Sequence, residues 1–140
     1  EHYTFVCEEY LRGPDSDQWY YFTSALELRI DRTFTVITEI ERKDEGTKLD
    51  EKTVISGTFE ASTDGKSFAF QATAQEVFNL LSKDPEGTTT TINIVEEAKL
   101  EFGKDGRKME IALPKFYWVR VWGDVPAWLK HEYPTIPWPN

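Results

Sequence analysis

Three short stretches turn this chain between runs in which apolar and polar residues alternate: Ile30-Asp31-Arg32-Thr33-Phe34, Thr63-Asp64-Gly65-Lys66-Ser67-Phe68 and Lys104-Asp105-Gly106-Arg107-Lys108-Met109. Two of them contain Asp-Gly, a strong hairpin signal, because glycine tolerates the positive φ that tight turns require. A chain that reverses this way runs back and forth as adjacent antiparallel strands. That plan closes readily into a barrel whose interior can hold a small molecule. The expected fold is therefore all-β, an antiparallel up-and-down barrel of about eight strands with a short helix and a packed C-terminal tail.

Alternation marks the strands. His2 to Tyr10 reads as the first, the Gly-Pro-Asp turn at 13–15 breaks it, and Trp19 to Ile30 resumes with Leu26, Leu28 and Ile30 on one face. Phe34 to Ile40 follows. Glu41 to Lys52 carries nine charges in twelve residues and reads as a solvated loop or a protruding hairpin tip. Thr53 to Ala61 pairs with Lys66 to Ala74, where Phe68, Phe70, Ala72 and Ala74 are expected to share a face. Gln75 to Lys83 fits a short helix or irregular lid, with Val77, Phe78, Leu80 and Leu81 on one side. Thr88 to Phe102 is a long β-prone run, since branching at Cβ stiffens χ1 and favours strands. Met109 to Leu113 and Phe116 to Trp122 complete the set.

The expected organisation is a barrel domain over 1–123 and an aromatic, proline-rich tail over 124–140. Four of the five Trp lie after position 117. Val125 to Lys130 suits a single helical turn with Pro126 near its start. The tail carries Trp128, Tyr133, Ile136 and Trp138, side chains that demand burial against this chain's own barrel or against a protein partner.

Chemistry is much less legible. The net charge of −9 disfavours phosphate backbones and anionic membranes, so neither nucleic acid nor membrane is an expected partner. No apolar run of about 18 residues occurs. One cysteine excludes an internal disulfide and leans toward a reducing compartment, whereas a first residue other than Met leaves secretion open. Two histidines at opposite ends and a lone Cys7 suggest no metal site, and no phosphate loop or nucleophile elbow is present, so no cofactor is expected.

Paired acids stand at Glu8-Glu9 and Glu96-Glu97. Adjacent strand residues point to opposite faces, so one of each pair is free to face inward and to serve as an acid or base. Glu8 is the expected catalytic candidate. Trp118, Arg120 and Trp122 fall on one face of the last strand, where the guanidinium either stacks on indoles or snorkels outward.

The Asp-Gly meander, the stretch Leu26-Glu27-Leu28-Arg29-Ile30-Asp31-Arg32-Thr33-Phe34 and Arg120 near the end of the final strand resemble the calycins, the lipocalin and fatty-acid-binding barrels. The Gly-x-Trp opening of lipocalins is absent from His2 to Tyr10. The resemblance implies a barrel of similar plan. The small residues Ala72 and Ala74 beside Phe68 and Phe70, with the aromatic final strand, point to an interior that holds a small, mostly apolar molecule. From the residues themselves, the expected wall is Phe5, Trp19, Phe34, Phe59, Phe70, Trp118 and Arg120. Two other classes remain: a cofactor-independent cyclase or isomerase acting on a hydrophobic substrate, and an interaction subunit using its tail.

Overall fold

The computed structural model describes the backbone of 2–12, 19–42, 48–79, 87–104, 108–116 and 119–139, and the side chains of 21–41, 51–79, 87–104, 108–116 and 119–139. Its elements are β1 (His2–Arg12), β2 (Trp19–Arg29), β3 (Thr33–Arg42), β4 (Lys48–Ala61), β5 (Phe68–Asn79), β6 (Thr88–Phe102), β7 (Lys108–Leu113), β8 (Val119–Asp124) and a short helix α1 (Ala127–Glu132). Each strand pairs antiparallel with its neighbours in sequence, and β1 pairs with β8 to close the barrel. The up-and-down barrel expected from the turns is the fold observed.

Closure is uneven. β1 meets β8 through the register pair Val6↔Trp122, and β7 meets β6 only from Lys99 to Phe102. A row of register partners runs from Tyr3 through Leu28, Phe34, Gly57 and Ala72 to Ile94, and its next step falls beyond the end of β7. The strands are therefore tilted, as closure of a barrel requires.

The turns behave as their residues dictate. Gly65 adopts φ +69 between β4 and β5, where its N–H donates to the Ser62 carbonyl. In the β2–β3 turn the positive φ falls on Arg32, at 74. There the Asp31 carboxylate accepts from the Thr33 N–H at 2.9 Å and from the Thr33 hydroxyl, which holds the Asp31 carboxyl below its ordinary range. Asp105 and Gly106 lie outside the described residues.

Two local expectations are corrected. Gln75–Asn79 continue β5, because β4 offers a ladder to all five residues and β6 to the first three. Ala74 leaves the face of Phe68, Phe70 and Ala72, because a bulge at Thr73 shifts the register against both neighbours. Of the two readings of the charged segment the hairpin agrees with the structure, since Glu41, Arg42 and Lys48–Lys52 are paired strand, while 43–47 lie outside the described residues. At the same bulge Gly57 is obligatory, since any Cβ would collide with the Gln71 carbonyl.

One end of the barrel is filled and sealed. This lower end carries the β2–β3, β4–β5 and β6–β7 turns and the tail. Phe34, Phe59, Phe68, Phe70 and Phe116 are fully buried there, with Phe34 edge-on to Phe70 at 5.0 Å and stacked on Phe116 at 5.9 Å. The tail then covers the opening: Tyr133 meets Phe68 at 4.9 Å and Phe59 at 5.9 Å, and Trp138 meets Phe68 and Phe102. Leu129, Tyr133 and Ile136 belong to the same core as the barrel phenylalanines. Burying each contributes about 1.5–3 kcal/mol. α1 begins at Pro126, which is tolerated there because it has no N–H to lose, and has Lys130 and His131 in its last turn, where cations suit the helix dipole.

Candidate functional site

The inward faces follow from register, because directly paired residues share a face. On β2, β3 and β4 the inward rows are Phe22, Ser24, Leu26, Leu28; Phe34, Val36, Thr38, Ile40; and Thr53, Ile55. Their lower members are buried. Toward the upper end, Phe22 and Ile40 become partly accessible, as do Gln75 and Val77 opposite Ile55 and Thr53. On β6, Ile92 and Ile94 are partly accessible and Thr88 and Thr90 exposed. The inward rows thus change from packed, buried aromatics at the lower end to partly accessible residues toward the upper end.

Polar side chains gather where that change occurs. Ser24, Thr38 and Thr53 occupy one continuous register row and are all buried. The Ser24 and Thr38 hydroxyls are 3.3 Å apart. Hydroxyls in such a place orient a polar substituent on an otherwise apolar guest.

Among the described residues the buried inward acid is Glu96, while Glu51, paired with Ile40, lies toward the upper end and is partly accessible. Glu96 pairs with the fully buried Phe70 and alternates with Ile94 and Ala98 along the inner face of β6. Its residue exposure is 7%, and its Oε2 has no hydrogen-bond partner. Glu97, its neighbour, is exposed. Glu8 pairs with Thr23, while the position in line with the inward Ser24 belongs to Cys7. The side chain of Glu8 lies outside the described residues, as do those of Phe5 and Trp19, and all of Trp118.

Three expected wall residues, Phe34, Phe59 and Phe70, are brought together, with Phe59 and Phe70 stacked at 5.7 Å. They form the floor, in contact with one another. Arg120 is a correction: it lies on the outer face, 60% exposed, with its Nε donating to Glu110. Val119 and Val121 take the inward positions of β8, so alternation sends Arg120 and Trp122 outward. Glu110 is also on the outer face, opposite Trp122 and Glu101, yet only 1% exposed, and its Oε2 lacks a partner.

The sequence reading names Glu8, whose side chain lies outside the described residues, and Glu96 is the acid that the described structure buries inside. The pattern that identifies Glu96 is the apolar stripe Ile92, Ile94, Glu96, Ala98, Leu100, Phe102, in which one acid interrupts alternate positions. Among the described residues no group of His, Cys, Asp and Glu is arranged to hold a metal ion, and no helix is long and apolar enough to cross a membrane. No protein-family model matches the chain, and no curated protein or solved structure matches it either.

Proposed function

We propose that this protein binds a small, mostly apolar molecule in the upper half of its barrel. The observation that carries the reading is the gradient along single inward rows. Leu28, Leu26 and Ser24 are buried while Phe22 on the same row is partly accessible, and Phe34 to Ile40 on β3 repeats the change. A barrel closed at one end by its own tail, with inward residues that become accessible toward the other, suits a cup with an apolar floor. Eight strands enclose an interior that side chains just fill or that one small ligand occupies. Here the phenylalanines fill the lower part, and the upper part suits the guest. The buried hydroxyls of Ser24, Thr38 and Thr53 supply orientation at low desolvation cost.

The test is titration of the intact protein with the uncharged probe N-phenyl-1-naphthylamine, followed by its fluorescence. Saturable binding at one site per chain is expected, with loss of binding in Ile40→Trp, which fills the cup while leaving the floor untouched. A linear, unsaturable response in the wild-type protein refutes the reading.

A further inference from the structure

We propose that the ligand is an apolar molecule bearing a protonated amine, and that the Glu96 carboxylate is the group that binds the nitrogen. The proposal rests on the barrel-binding reading and names the chemistry of its guest. Glu96 is more than nine-tenths buried, aimed inward beside Phe70, and leaves Oε2 without a hydrogen-bond donor. Buried carboxylates are paired in folded proteins, because a dry, unpartnered charge is costly. Among the described residues none of the ion pairs reaches it. Arg29 engages Glu27, Arg32 engages Glu132, Arg120 engages Glu110, and Lys99 lies beside Glu101. Lys115, which reaches the residue before Glu96, donates its Nζ to the Val95 carbonyl at 3.1 Å. No described residue completes Glu96, and we assign that donor to the ligand.

A protonated amine fits better than a neutral hydroxyl. A hydroxyl satisfies the lone pair but leaves the charge uncompensated, whereas an ammonium does both through a charge-assisted hydrogen bond. The ring of Phe70 across the strand pair, with Phe34 and Phe59 behind it, adds aromatic faces that attract cations. The net charge of −9 draws cations toward the protein and repels anions. The neighbours Ile92 and Ile94 suit an apolar body. Glu96 also lies beyond the part of β6 that β7 pairs. β7 pairs with β6 only from Lys99 onward, and Val95, the residue before Glu96, is 52% exposed. The site is thus dry at the carboxylate and close to solvent along the strand.

Calorimetric titration of the full chain with n-octylamine and with 1-octanol at neutral pH tests this. The expected result is an amine affinity about tenfold to a hundredfold above that of the alcohol, the range for a hydrogen bond to a charged group. Glu96→Gln should reduce the amine to about the affinity of the alcohol and change the alcohol far less. Its thermal midpoint without ligand should equal or exceed that of wild type, since a dry carboxylate has become a neutral amide. Equal affinities for the two compounds in wild type, or a retained amine preference in Glu96→Gln, overturns the proposal. So does a Glu96→Gln protein that melts earlier or fails to fold, which would make the carboxylate structural. If the neutral naphthylamine probe binds while octylamine gains nothing over octanol, only the amine assignment falls. If none of the three binds, the barrel-binding reading falls and takes this one with it.

Discussion

The guanidinium of Arg32 lies over the ring of Tyr133, 5.0 Å from its centroid, while its Nη2 donates to Glu132 at 2.8 Å. One side chain from the β2–β3 turn thus fastens the C-terminal segment across the floor of the barrel. Its pairing with Glu132 raises the Arg32 pKa, and the Arg32 carbonyl accepts from the Phe59 N–H at 2.8 Å. The turn, β4 and the tail meet at this residue.

Arg32 carries a positive φ that an arginine adopts only at a cost, so the latch and the backbone oppose each other. Arg32→Ala removes the ion pair and the cation–π contact but keeps the strain, and should destabilise the fold by about 1–2 kcal/mol. Arg32→Gly removes the same contacts and relieves the strain, so its loss should be smaller by about 1 kcal/mol. Urea unfolding of both variants decides it. Equal losses would show that the turn conformation costs nothing.

Tyr133 is buried between Phe59 and Phe68 with its hydroxyl unpartnered, and burial pushes its pKa up to about 12. An unfolded tyrosine ionises near pH 10, so the folded state holds its proton more tightly. The stability linked to that proton is complete below about pH 10 and is lost as pH rises through about 12. Tyr133→Phe should match or slightly exceed wild type at pH 7, by up to about 1 kcal/mol, because it deletes an unsatisfied hydroxyl. Above pH 10 its advantage should widen. Denaturant midpoints of both proteins across pH 7–12 provide the check, and parallel curves would show that the hydroxyl reaches solvent.

Much of this fold is legible because strand alternation and turn chemistry are local. Leu26-Glu27-Leu28-Arg29 announces its inward face without any knowledge of its partners. The misreadings occur where a partner decides. Gln75–Asn79 has a helical apolar spacing, and only the ladder from β4 and β6 makes it strand. The bulge at Thr73 that moves Ala74 to the other face is marked mainly by Gly57, on a different strand. At the site, Ser24 and Thr38 are ordinary hydroxyl residues until register places them side by side inside the barrel. Glu96 was visible as an acid in an apolar stripe, but its want of a partner is a property of three dimensions.

The tail belongs to the core rather than lying on it. Removing 125–140 withdraws Leu129, Tyr133 and Ile136 and bares Phe59 and Phe68 at the lower end. By the burial of three large side chains alone, the loss should be about 5 kcal/mol or more. That is comparable to the whole stability of an ordinary domain, so the truncated chain should lose its cooperative thermal transition. A truncated protein with an unchanged midpoint would show that the segment is dispensable to the barrel.

On the outer wall Arg120 and Glu110 separate a structural role from a binding one. The Glu110 carboxylate is buried against the outside of β7, and Arg120 is its partner although most of the arginine side chain is exposed. Arg120→Ala leaves a buried carboxylate uncompensated and should cost about 1–3 kcal/mol. Adding Glu110→Gln to that variant should restore most of the loss, because an uncharged amide tolerates the site better than a carboxylate without its cation. Neither change touches the inward rows, so probe affinity in the cup should stay within about twofold of wild type in both variants, provided they are assayed well below their thermal midpoints. A large loss of affinity in folded Arg120→Ala would place this residue at the ligand after all, by way of the strand it shares with Val119 and Val121.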